Sequence, residues 1–246
     1  MTAVNFFLVN EIYPCLQGEG PNAGRPSVLV RFQICNLRCS WCDTPYTHTF
    51  KSDPVSATNL SLGQKFKRLS LDELLQSIRE HSTLRHVILS GGEPTLQNFS
   101  ALAEILSSSH TLEVETNGTQ IPHKLHQTFE EFHYSLLEWN VSPKGVNAGQ
   151  EINYDALKHW SRLSQSGVKV NFKFVLRKHH MSEDLREIDS ILERTDIPQD
   201  RVIAMAEGTS RESQLGNAWL EEICMNRGWR ISPRLHVLTH GNQRGV

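Results

Sequence analysis

Six short apolar runs, at 28–32, 87–89, 112–115, 136–141, 168–176 and 202–205, read as β-strands. Between or after them, apolar residues recur every three or four positions. The clearest case is Leu71, Leu74, Leu75 and Ile78, opened by a capping box of Ser70 with Glu73. Further helices are predicted at 99–107, 156–163, 185–192 and 218–227, with a weaker pattern at 122–132. Strands that are apolar almost throughout and alternate with helices argue for a parallel sheet buried on both faces, an α/β fold. In the run 168–176, Val168, Val170, Phe172, Phe174 and Leu176 share one face and Lys169, Asn171 and Lys173 the other. This strand is either an edge facing water, or one that turns Asn171 and Lys173 into a polar barrel interior. The segment 51–67, rich in Ser, Thr and Lys, reads as a surface excursion. No repeat or linker interrupts the chain, so a single domain spanning 1–246 is expected.

Composition narrows the possibilities. The 246 residues carry 25 basic and 27 acidic side chains, a net charge of -2, which supplies no field for gripping nucleic acid or an anionic membrane. No stretch of about 18 apolar residues occurs, and the N-terminus has neither a basic start nor a long apolar run. A cytoplasmic protein acting on a compact small molecule is expected. Five cysteines are too few for a disulfide-stapled fold.

Three of the five lie within eight residues, Cys35-Asn-Leu-Arg-Cys39-Ser-Trp41-Cys42, directly after the first predicted strand. Three thiolates can hold three irons of a [4Fe-4S] cluster and leave the fourth open to another ligand. A structural zinc is the alternative, with His48 as fourth ligand. A second segment, Gly91-Gly92-Glu93-Pro94, follows the second strand. It is either an ordinary strand-to-helix turn or a place where glycines admit a close backbone approach. Glu115-Thr116-Asn117-Gly118 ends the third strand and Ser142-Pro143-Lys144 the fourth, the strand ends at which catalytic groups gather in parallel βα barrels. Cys15 and Cys224 are assigned to packing.

The CxxxCxxC spacing, with an aromatic before the last cysteine, resembles the signature of the radical S-adenosylmethionine (SAM) enzymes, and the GGEP segment resembles their SAM-binding turn. Four segments narrow the resemblance to the 7-carboxy-7-deazaguanine synthase family. These are Glu11-Ile12 with Leu16-Gln17-Gly18-Glu19-Gly20, Val30-Arg31-Phe32, Trp41-Cys42-Asp43-Thr44, and Glu115–Gly118 with Ser142–Lys144; the ending from Leu235 onward is also similar.

The resemblance implies an incomplete parallel (βα)6 barrel. Its substrate-binding segment would be N-terminal, and a C-terminal segment would lie near the barrel mouth. It implies conversion of 6-carboxy-5,6,7,8-tetrahydropterin to 7-carboxy-7-deazaguanine with loss of ammonia, in queuosine biosynthesis. SAM would be used catalytically and Mg²⁺ would assist. A [4Fe-4S] cluster would sit on Cys35, Cys39 and Cys42, beside Trp41 and Asp43, and Thr44 would ligate Mg²⁺. Gly92, Glu93, Ser142, Pro143 and Lys144 would contact SAM, as would the looser match at Ala204, Met205, Ala206 and Glu207. Leu16, Gln17, Gly18, Glu19, Arg31, Ser90, Glu115 and His236 would hold the pterin, Arg31 through two parallel bonds to its carboxylate, with the SAM ribose as the other partner open to Glu115.

Bland readings stay open at this point. Arg31 could be a salt-bridged strand residue, Thr44 a turn hydroxyl, Glu115 structural and His236 a surface residue. A flavodoxin- or ferredoxin-like electron donor and a homodimer are also expected. The competing functions are a radical SAM activase of a glycyl-radical enzyme and a zinc-stapled binding module, with LQGEG and CDT speaking against the activase.

Overall fold

The computed structural model describes residues 6–48, 66–241 and 243–245. Its chain is mixed α/β with mostly parallel strands and falls into two compact units. The first comprises Met1–Cys15, Pro26–Thr116 and Gln120–Glu138, and the second Leu16–Arg25, Asn117–Thr119 and Trp139–Val246.

Strands of the first unit run in the order β3 (Lys67–Leu69), β1 (Phe7–Leu16), β2 (Pro26–Phe32), β4 (His86–Gly91), β5 (Thr111–Thr116). β2, β4 and β5 are parallel, in a register that sets Val30 beside Leu89 and Leu89 beside Val114. Val28, Val30, Phe32, Val87, Leu89 and Val114 are fully buried, which accounts for apolar runs without alternation. The helix Leu71–Arg79 starts at the predicted capping box, Ser70 accepting from the Glu73 amide while Glu73 accepts from the Ser70 amide. It buries Leu74, Leu75 and Ile78. Positions 51–65 of the predicted excursion lie outside the described residues. Its end, Lys67, opens β3, which pairs antiparallel with β1, Lys67 opposite Val9. The weak pattern at 122–132 forms one short helix, Pro122–Leu125, and the chain then turns so that Phe129 packs edge-on against Phe99.

The second unit orders its strands β6 (Leu137–Val141), β7 (Val170–Leu176), β8 (Val202–Ala206), β9 (Arg230–Ser232), all parallel. Helices Tyr154–Gln165, Met181–Thr195 and Ala218–Arg227 connect them. Trp139, Trp160, Val170, Phe172 and Leu176 are fully buried, and the two indole rings lie 4.8 Å apart. β7 is paired on both sides and buried along its whole length, so the edge-strand reading does not hold. Asn171 and Lys173 are interior, each with a polar partner: Asn171 donates to Asn140 and accepts from Arg230, and Lys173 bonds Glu19. Among the described residues no helix is long and apolar enough to cross a membrane.

Candidate functional site

In the first unit, the end of β4 is pressed against the start of the cysteine loop. Gly92 donates to the carbonyl of Phe32 and Glu93 to that of Ile34. A β-carbon on Gly92 would lie 2.0 Å from the Ile34 oxygen and 2.9 Å from the Cys35 nitrogen; one on Gly91, at φ +139°, would lie 2.2 Å from the Phe32 oxygen. Both glycines are therefore required by close backbone approach. Ile34 has φ +81°, a strained value for a β-branched residue, and it is pinned on both sides by the Thr47 carbonyl and the Glu93 amide. The cysteine loop and Gly92 thus stand at the same end of the sheet, as the barrel reading requires.

Arg38 closes the loop, its guanidinium donating to the carbonyls of Cys35, Leu37 and His48, each at 2.9 Å. Cys35 Sγ accepts from the Leu37 amide at 3.4 Å. Burial pushes the Cys35 thiol up to about 11, and the neighbouring Cys39 and Cys42 act in the same direction. A thiol that burial keeps protonated suits a cation that takes up its charge on binding and displaces its proton. Three thiolates and one open position are the donor set of a four-iron centre, whereas a structural zinc normally takes four protein ligands. Cys42 Sγ has Thr44 Oγ1 at 3.7 Å and His48 Nε2 at 3.2 Å. Burial and the nearby Arg38 hold the His48 imidazole below its ordinary pKa.

Glu93 is buried, and its Oε1 accepts from the Thr95 amide, the Thr95 hydroxyl at 2.6 Å and the Thr116 hydroxyl at 2.7 Å. Its side chain therefore ties the glycine turn to the end of β5, where half-buried Glu115 precedes Thr116. Ser90 stands beside Arg31 in the β2–β4 register. Arg31 Nε bonds Glu11 at 2.7 Å and Nη2 bonds the Tyr13 hydroxyl at 3.2 Å. Its Nη1 makes no hydrogen bond within the described residues and remains able to donate. Trp41 is half-buried and Asp43 exposed, on either side of Cys42. Cys15 and Cys224 stand apart from the loop in sequence, and burial raises both thiols, Cys15 to about 11.

In the second unit, residues 17–19 form a loop leading into a 3-10 turn at Gly20–Asn22, with Gln17 donating to the Arg25 carbonyl and accepting at its own carbonyl from Gly24. Leu16 is exposed, Gln17 and Gly18 are buried, and the Glu19 amide approaches Gln17 Oε1 at 3.3 Å. The C-terminal segment lies on this loop. Leu235 donates to the Gly18 carbonyl, Ser232 accepts from the Gly20 amide, and a β-carbon on Gly18 would strike the His236 ring at 2.0 Å. The Glu19 carboxylate is gripped at both oxygens, by Lys173 Nζ at 2.7 Å and Arg234 Nε at 2.9 Å, with His236 Nε2 at 3.9 Å. Burial alone would raise this carboxyl, but Lys173, Arg234 and His236 outweigh it and hold Glu19 well below the usual carboxylate range.

Lys144 donates to the Ser142 hydroxyl at 2.7 Å beside buried Pro143. Ala204, Met205 and Ala206 are buried in β8, whereas Glu207, just past its end, is exposed and donates its amide to the Leu176 carbonyl. Sequence reasoning passed over Tyr13, Arg38 and Arg234, and quoted Glu11 and Thr116 only inside longer segments without giving either a role; each is defined by a contact of the folded chain.

The model of the radical SAM superfamily matches residues 29–149. A 7-carboxy-7-deazaguanine synthase of Pyrobaculum aerophilum is 31% identical over 251 residues, covering 100% of both chains. The enzyme of that name from Escherichia coli strain K12 is 28% identical over 93% of this chain and 96% of its own. The crystal structure of QueE from Escherichia coli superposes with a TM-score of 0.67 at 25% identity, over 92% of this chain and 93% of that one.

Proposed function

Because the chain belongs to the 7-carboxy-7-deazaguanine synthase family of radical SAM enzymes, we propose that it converts 6-carboxy-5,6,7,8-tetrahydropterin to 7-carboxy-7-deazaguanine with release of ammonia. The observation that carries the reading is the cysteine loop locked to the glycine turn, Gly92 against Ile34 and Cys35. Cys35, Cys39 and Cys42 would hold a [4Fe-4S] cluster and leave one iron for SAM. When bound, these groups supply one-electron cleavage of SAM and abstraction of a substrate hydrogen.

The chain's own contribution is to bind, orient and hold charge. Gly91 and Gly92, lacking side chains, keep the GGEP backbone against the cysteine loop, and Glu93 fixes that backbone through Thr95 and Thr116. The same turn would present SAM-binding groups, as would Ser142, Pro143, Lys144 and the stretch Ala204–Glu207. On the first unit, Arg31 is held by Glu11 and Tyr13 while Nη1 remains to donate, which supports a role in taking the pterin carboxylate. Ser90 and Glu115 would add polar contacts near it. Thr44 would offer its hydroxyl oxygen to Mg²⁺, a hard donor for a hard cation.

On the second unit, Glu19 stays ionised at neutral pH and can accept from the amino and ring N–H groups of a pterin. Gln17, with Leu16 and Gly18, would frame that edge, and His236 would close it. An external donor of the flavodoxin or ferredoxin type, a homodimeric assembly and a cytoplasmic location belong to the same proposal.

Anaerobically reconstituted protein, incubated with SAM, a reductant, Mg²⁺ and the carboxytetrahydropterin, should release a product with the mass of 7-carboxy-7-deazaguanine. Protein with a full complement of iron and sulfide that cleaves SAM yet never forms this product would refute the assignment.

A further inference from the structure

We propose that His48 donates an Nε2–H hydrogen bond to the sulfur of Cys42 and thereby sets the reduction potential of the cluster that the three cysteines hold, an inference resting on the cluster reading above. The ring nitrogen stands 3.2 Å from Cys42 Sγ, closer than the Thr44 hydroxyl at 3.7 Å. His48 follows a short 3-10 turn, Pro45–Thr47, that is fastened to the cysteine loop at both ends. Its amide donates to the Pro45 carbonyl, and its own carbonyl accepts from Arg38, which also grips Cys35 and Leu37. The residue before it, buried Thr47, donates its amide and hydroxyl to the Thr44 carbonyl and accepts from the Ile34 amide. The imidazole is thus carried by the same framework that carries the thiols.

The direction of the effect follows from charge. A thiolate bound to iron has no proton and can only accept, so the ring nitrogen facing it is the one that carries hydrogen. Reduction adds one electron from an external low-potential donor to the oxidised cluster, with no proton transferred and no bond to His48 made or broken. The added charge spreads onto the ligating sulfurs, where an N–H donor stabilises the reduced state more than the oxidised one. His48 therefore raises the potential, making the cluster easier to reduce while leaving it a weaker reductant toward SAM.

The test is a redox titration of reconstituted protein without SAM, followed by electron paramagnetic resonance, with iron and sulfide counted in each sample. His48→Leu should weaken one-electron reduction about tenfold, a shift of about 59 mV to more negative potential. His48→Gln keeps an N–H within reach and should stay near wild type. The wild-type protein gives an independent reading. Pulsed resonance of the reduced cluster in H₂O and D₂O, with ¹⁵N-labelled histidine, should show one exchangeable proton coupled to the cluster and only a weak nitrogen coupling. A His48→Leu cluster at the wild-type potential overturns the proposal, as does a missing proton coupling in wild type. A strong coupling from a directly bonded imidazole nitrogen also overturns it, since His48 would then be a ligand. Should His48→Leu fail to assemble a cluster, the wild-type couplings and the His48→Gln potential decide the matter. Wild-type protein that takes up no four-iron cluster sinks the cluster reading itself, and this inference with it.

Discussion

Replacing Lys173 with methionine tests whether the interior of the second unit is held by charge. Lys173 is 3% exposed, and its ammonium lies 2.7 Å from Glu19 Oε2. Methionine nearly conserves the length and volume of the stem, so packing loss is small. Removing one partner of a buried ion pair typically costs about 3–5 kcal/mol, because the other charge is orphaned. Here Glu19 keeps Arg234 at 2.9 Å, and its side chain is 17% exposed, so the expected loss is nearer about 2–3 kcal/mol at pH 7.

The pH dependence fixes the cause. Glu19 has a folded-state pKa held below its unfolded value, so its contribution is complete above about pH 4.3 and drains away as pH falls through the folded-state pKa. The gap between wild type and Lys173→Met should therefore be full at pH 7 and shrink in acid, where a buried ammonium facing a neutral carboxyl turns into a cost. Urea unfolding followed by the fluorescence of Trp139 and Trp160, which belong to the same unit, measures it between pH 7 and pH 3.5. A loss below about 0.5 kcal/mol at pH 7, or one that grows as the pH falls, would refute the reasoning.

Three further outcomes are expected. Arg31→Lys keeps the charge but loses the planar fork that binds Glu11 and Tyr13, so kcat/KM for the carboxytetrahydropterin should fall roughly 30- to 1000-fold, about 2–4 kcal/mol, while iron content and SAM cleavage without substrate persist; intact turnover would remove Arg31 from substrate binding. Gly92→Ala places a methyl 2.0 Å from the Ile34 oxygen and must displace the cysteine loop, so reconstituted iron should drop well below wild type; full incorporation would mean that this contact is slack. Thr44→Val should retain the brown cluster but lose its activation by Mg²⁺, and an unchanged Mg²⁺ titration curve would leave Thr44 as the turn residue whose carbonyl accepts from Thr47.

All six predicted strands exist because strands buried on both faces leave an uninterrupted apolar record, and Ser70 with Glu73 form the predicted cap because a capping box is local chemistry. β1, β3 and β9 went unread for physical reasons. β1 opens on three consecutive apolar residues, Phe7, Leu8 and Val9, and continues through Asn10, Glu11, Tyr13 and Pro14 with no period of two, while β3 and β9 are three residues each. The cysteine loop and its glycine turn were legible as spacings. What fastens them was not: Arg38 bonding three carbonyls and Thr116 reaching Glu93 are contacts of the folded chain. Lys173 is the intermediate case. Periodicity put it on the polar face of β7, but only pairing on both sides reveals that face as interior.

The contact between Gly92 and Ile34 also has a consequence for how the protein matures. The two residues are 58 positions apart, and closing such a loop costs roughly 3–4 kcal/mol of chain entropy before any contact is gained. Cys35, Cys39 and Cys42 leave the ribosome long before the glycines that will shape their loop. Before β4 docks on β2, the loop has its local ties from Arg38 and Thr47 but lacks the contacts from Gly92 and Glu93. The mould for the metal is therefore finished by a late-synthesised part.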